Sequence, residues 1–112
     1  MKKRAEIIAS GLVQGVGFRY YVSRHAQSLG LTGFVKNLFT GEVQTIVEGE
    51  VALIEELFLK IKIGPSHASV NNCKIIWHEL KNEFNSFEVR FWLKILEQES
   101  VLTFTHLLKE EN

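Results

Sequence analysis

Two short segments hold the residues whose types and spacing suit chemistry. The first is Gln14-Gly15-Val16-Gly17-Phe18-Arg19. Glycines let successive backbone amides turn toward one point, which makes a nest for an anion. A helix that starts just after them adds its unpaired N–H groups and the positive end of its dipole. Arg19 supplies a planar guanidinium that grips two phosphate oxygens at once. A small dianion such as a phosphoryl group fits this set. The second segment is Asn37, whose carboxamide donates and accepts and so can hold a water in line for attack. Each also has a plainer reading. The first suits an ordinary strand-to-helix turn with Arg19 in solvent, and the second an asparagine that opens a turn. Neither segment alone separates the alternatives.

Other phosphate motifs do not fit. No Gly-Lys-Ser/Thr follows the glycines, so the segment is not a Walker loop. A third glycine and a downstream ribose-binding acid are missing, so it is not a dinucleotide fingerprint. Composition narrows the chemistry further. All thirteen acidic residues are Glu, and Asp is absent from the 112 residues. That removes an aspartyl-phosphate nucleophile, an Asp-based calcium loop and a Ser-His-Asp triad. Thirteen Lys and Arg balance those acids to a net charge of zero, which argues against a broad nucleic-acid surface. His25, His67, His78, His106 and Cys73 show no metal-ligand spacing, so no metal or cofactor is expected.

These residues need elements to hold them. Ala5 to Val13 is rich in Ile, Leu and Val and reads as a strand. From Phe18 the apolar spacing changes to Phe18, Val22, Ala26 and Leu29, one face of a helix that Gly30 stops. Thr32 to Asn37 reads as a short strand, and Leu38 to Gly41 as a turn. Val43, Thr45 and Val47 alternate with Glu42, Gln44 and Glu48 as a half-exposed strand. Glu50 opens a second helix with an apolar stripe of Leu53, Ile54, Leu57, Phe58 and Ile61, ended by Gly64-Pro65. Cys73, Ile75 and Trp77 mark a fourth strand, with the thiol expected in an apolar setting. Phe87, Val89 and Phe91 mark a fifth. Of Tyr20 and Tyr21, one is expected to pack and one to lie exposed. The order β-α-β-β-α-β-β predicts an α+β, ferredoxin-like fold: βαββαβ plus an extra strand. Its two helices cover one face of a mostly antiparallel five-stranded sheet.

Within that frame the two segments gain weight together. Gly11 to Arg19 closely resembles the signature of the acylphosphatase family, and Gly33-Phe34-Val35-Lys36-Asn37 resembles that family's second signature at the expected distance. The likeness continues through Gly41-Glu42-Val43, Glu48-Gly49, Gly64-Pro65-Ser66 and Phe87 to Phe91. Phe34 stands where relatives often carry Trp. Leu38-Phe39-Thr40 stands where they are usually polar. The resemblance implies hydrolysis of a small-molecule acyl phosphate to a carboxylate and inorganic phosphate, with no metal, cofactor or covalent intermediate. It implies that Arg19 and the segment Gln14, Gly15, Val16, Gly17, Phe18 and Arg19 bind the phosphoryl group, and that Asn37 orients the attacking water. Arg19 and Asn37 are then the catalytic pair. The alternative functions are a non-catalytic phosphate or acyl-phosphate binding module of the same fold and, less favoured, a ferredoxin-like nucleic-acid binder. Glu42, Glu48 and Glu88 at outward positions speak against the last.

The expected domain covers residues 1–91, and 92–112 form a C-terminal extension. Trp92, Leu93, Ile95 and Leu96 are too apolar for a freely solvated end. They are expected to pack on the domain or on a partner subunit, the latter making a homodimer. The single Cys73 suits a reducing compartment. The apolar run after Met1-Lys2-Lys3-Arg4 is interrupted by Glu6 and Gln14, unlike a signal peptide, and no window approaches a membrane span. The expected location is the cytoplasm, away from membranes and nucleic acid.

Overall fold

A computed structural model describes residues 1–91. The expected C-terminal extension and its homodimer contact lie outside them. The elements are β1 (Lys2–Leu12), α1 (Phe18–Ser28), β2 (Thr32–Asn37), β3 (Val43–Glu50), α2 (Val51–Ile63), β4 (Ser69–His78) and β5 (Phe87–Arg90). The strands form one sheet in the order β4-β1-β3-β2-β5. β1 runs antiparallel to β3 and β4, and β2 antiparallel to β3. β2 and β5 pair in parallel, so the sheet is mixed. No helix among the described residues is long and apolar enough to cross a membrane.

The period-2 alternation of the strands decides what is buried. Ala5, Ile7 and Ala9 of β1, Val43 and Val47 of β3, Val35 of β2 and Phe87 of β5 line the helix face. Against them α1 sets Phe18, Val22 and Ala26, and α2 sets Ile54, Leu57 and Ile61. Each buried Val, Ile, Leu or Phe among them stabilises the fold by about 1.5–3 kcal/mol. Tyr21 packs half-buried and sends its hydroxyl to the Lys60 carbonyl at 2.8 Å, tying α1 to α2. Tyr20 next to it is exposed.

Two expectations need correction. β4 begins four residues before Cys73. Ser69 to Asn72 lack apolar alternation, and they join the sheet through backbone pairing with β1 across a bulge at Ser10/Gly11. Glu48 lies on the outward face as the alternation requires, yet it is 3% exposed. The segment between β4 and β5 folds over it, and its carboxylate accepts hydrogen bonds from the Lys81 and Glu83 backbone N–H groups at 2.9 and 3.1 Å. Cys73 is half-buried, and that burial pushes its thiol pKa up to about 11.

Candidate active site

β1 ends at Leu12, and the chain reaches α1 through Val13 to Gly17. Gly15 and Gly17 take φ of 74° and 75°, the left-handed region that favours glycine. A Cβ on either would meet nothing within 4 Å. Their glycines therefore serve backbone direction and open approach rather than tight packing. Gly17 is also the N-cap of α1 and offers no side chain to its first turn. Among the described residues, the backbone N–H groups of Gly15, Val16, Gly17, Phe18 and Arg19 find no acceptor. The start of α2 differs, since the Val51 N–H is taken by the Met1 carbonyl at 3.0 Å. Open donors at the positive end of α1 are what an anion requires.

Arg19 sits on the first turn of α1. Its Nη1 donates to the Arg90 carbonyl at 3.3 Å, and its guanidinium lies over the Phe91 ring at 4.3 Å. The end of β5 thus holds one face and one edge of the group and leaves its remaining donors to the cleft. Burial lowers the Arg19 pKa from the ordinary arginine value. The group stays cationic, because arginine does not lose its proton in proteins. Asn37 closes β2 on the helix side of the sheet. Its Oδ1 is buried and has no hydrogen-bond partner among the described residues. A buried acceptor without a partner is uncommon in folded proteins.

These groups share one cleft of about 350 Å³, lined by Val13, Gly15, Gly17, Phe18, Arg19, Tyr20, Asn37, Val89 and Phe91. Gly15, Gly17, Phe18, Arg19 and Asn37 come together there as the sequence predicts. Gln14 and Val16 do not line it. The Gln14 side chain is spent elsewhere: its Nε2 donates to the Leu38 and Glu42 carbonyls at 2.8 and 2.9 Å. Leu38 and Phe39 also lie off the cleft wall, Leu38 half-buried and Phe39 exposed. Sequence reasoning did not assign Val89 and Phe91 to the site. The parallel pairing Lys36↔Arg90 sets Phe91 level with Asn37, a contact across the fold that no sequence pattern signals. Among the described residues, Arg19 is the one charged residue on the cleft wall. Among the described residues, no group of three His, Cys, Asp or Glu side chains is placed to hold a metal. His25 stands apart, edge-on to Tyr21 at 4.5 Å, with burial and then Lys60 and Arg24 lowering its pKa.

The arrangement sets open N–H donors, one guanidinium and an unpaired amide oxygen around a single cleft. Known proteins resemble this chain in sequence and fold. The acylphosphatase family model matches residues 5–89. An acylphosphatase of Vibrio cholerae serotype O1 is 42% identical over 88 residues, 79% of this chain and 97% of that protein. The crystal structure of acylphosphatase from Bacillus subtilis superposes with a TM-score of 0.76 at 30% identity, covering 80% of this chain and 99% of that one. An acylphosphatase structure from Coxiella burnetii gives a TM-score of 0.71 at 38% identity, over 80% and 93% of the two chains. With the match running from β1 into β5 and taking in every residue of the cleft wall but Phe91, this chain belongs to the acylphosphatase family.

Proposed function

We propose that this chain is an acylphosphatase that hydrolyses acyl phosphates by direct attack of water at phosphorus, without a metal or a covalent intermediate. The observation that carries this reading is the meeting of open N–H donors, Arg19 and the orphaned Asn37 Oδ1 in one cleft. The amides from Gly15 to Arg19 and the Arg19 guanidinium bind the phosphoryl oxygens. Asn37 Oδ1 accepts a hydrogen bond from the water and aims it. As the new P–O bond forms, the bond from phosphorus to the acyl oxygen breaks. The carboxylate leaves with that electron pair, and the water's proton passes to a phosphate oxygen.

Elementary chemistry explains why so few groups suffice. A carboxylate is stable as an anion, so the leaving group needs no proton from an acid. A loose phosphoryl-transfer transition state asks mainly for positioning and for charge stabilisation on the equatorial oxygens. Among the described residues no His or Glu lines the cleft, consistent with the substrate taking the water's proton itself. We place the activity in the cytoplasm, since a single cysteine and an apolar thiol setting suit a reducing compartment.

The test is hydrolysis of acetyl phosphate in the presence of a chelator, for wild type, Arg19→Gln and Asn37→Ala. Turnover by the wild type and near-complete loss in both variants is expected. A folded wild type that binds phosphate and never turns over would move the assignment to a binding module.

A further inference from the structure

Gln14 stands between the two halves of the site without lining it. It immediately precedes Gly15, where the amide cradle begins. Its carboxamide reaches 24 and 28 residues along the chain to Leu38 and Glu42. Leu38 follows Asn37 directly. Glu42 precedes Val43, the residue that pairs with Asn37 across the hairpin. Both hydrogens of Nε2 are thus used to bracket the pair on which Asn37 rides.

The hairpin does not need Gln14 in order to close. The Leu38 N–H already donates to the Glu42 carbonyl at 2.8 Å, and the Gly41 N–H to the Leu38 carbonyl at 3.1 Å. What the two Gln14 bonds add is a fixed separation between the hairpin and the cradle. Asn37 depends on that separation, because its Oδ1 has no hydrogen bond of its own to set its place. Its position follows from where its backbone is held. A shift of about 1 Å in a reacting group can lower a rate about a hundredfold.

We infer that Gln14 is a positioning residue that sets the water held by Asn37 against the phosphoryl group held by the cradle. The inference rests on the proposed hydrolysis. Removing the two donors lets the hairpin drift from the cradle, while the amides and Arg19 still bind phosphate. The loss therefore falls on kcat and spares phosphate affinity.

Two variants of similar volume test this. Gln14→Met removes the polar group, and Gln14→Glu replaces the donors with an acceptor that faces two carbonyls. For each, kcat for acetyl phosphate and the competitive inhibition constant of inorganic phosphate are measured well below the unfolding temperature. The expected result is at least a tenfold fall in kcat with the phosphate constant within about twofold. In ¹⁵N-labelled protein, the Asn37 side-chain amide pair should shift. The phosphate-induced shifts of the Gly15 and Gly17 amides should persist. If Gln14→Met does not fold, Gln14→Glu carries the same test, with folding checked by circular dichroism. An unchanged kcat overturns the inference. So does a phosphate constant that weakens by the same factor as kcat falls, since Gln14 would then belong to the cradle. A wild type with no turnover overturns the underlying hydrolysis instead, and is told apart by that control alone.

Discussion

Two cavities of similar size lie at opposite ends of the sheet, about 350 Å³ beside Arg19 and about 370 Å³ beside Glu48. Each contains a buried polar atom, and the two are treated in opposite ways. Glu48 accepts from two backbone N–H groups and pairs with Arg4, whose Nη1 stands 3.5 Å away. Arg4 in turn bonds Glu83 and lies over Phe84 at 5.2 Å, and Phe84 meets Phe34 edge-on at 5.8 Å. That network uses its polar groups to close a loop onto the sheet. At the other end the Asn37 oxygen has no partner, and a run of five amides finds no acceptor among the described residues. A satisfied polar network has nothing left to offer a ligand, whereas an unsatisfied one is stabilised by what it binds. Cavity size does not separate a site from a seam, but hydrogen-bond accounting does.

Breaking the contrast at the Arg19 end should give the largest effect. Arg19→Gln removes the one cation that the described residues place on the cleft wall. Turnover should fall about a thousandfold or more, the scale of losing a donor aimed at developing charge. Arg19 is only half-buried and outside the core cluster, so the urea midpoint should barely move. A variant that lost stability and activity in step would place Arg19 with Glu48 as a folding group. The reverse holds at the other end. Glu48→Ala takes one of two carboxylate partners from Arg4 and leaves two backbone N–H groups short of an acceptor under the 79–86 loop. Breaking a buried pair from one side costs about 3 kcal/mol. Urea unfolding should report that loss, while kcat per folded molecule stays within about twofold. A kcat that fell tenfold would mean the two ends are coupled through β3.

The sequence made the Arg19 end far more legible than the Glu48 end, and the reason is physical. Gly15, Gly17, Arg19 and Asn37 carry their chemistry in residue type. The turn, the helix start at Phe18 and the strand end at Asn37 are local events that short-range spacing reports. The burial of Glu48 is not local. Alternation places it on the correct face, but only the loop from 79 to 86 decides that the face is covered there. The Gln14 side chain is hidden for the same reason, since its acceptors lie in a different hairpin. Phe91 depended on parallel pairing of β2 with β5, which no periodicity records. Patterns with a period are read from sequence, and contacts made across the fold are not.

Phe91 gives the smallest and sharpest test of the contrast, because it has features of both ends. It is half exposed, like a residue of little structural weight, yet its ring lies against the Arg19 guanidinium. An aromatic face within about 6 Å of a cation contributes about 0.5–1 kcal/mol at exposed sites. In Phe91→Leu the Arg90 carbonyl still holds one edge of the guanidinium, so Arg19 is loosened rather than lost. A fall of about fivefold in kcat/KM should follow, the rate equivalent of about 1 kcal/mol. Phe91→Tyr keeps the aromatic face and should retain activity. The pair separates the ring's electrostatics from its bulk. If leucine and tyrosine behaved alike, the stacking would be incidental, and the Arg90 carbonyl alone would orient Arg19. If leucine lowered the urea midpoint with no change in kcat/KM, Phe91 would belong with Phe84 and Phe34 among the residues that close the fold. Loss of rate with unchanged stability, restored by tyrosine, would make it the wall that turns the arginine toward its substrate.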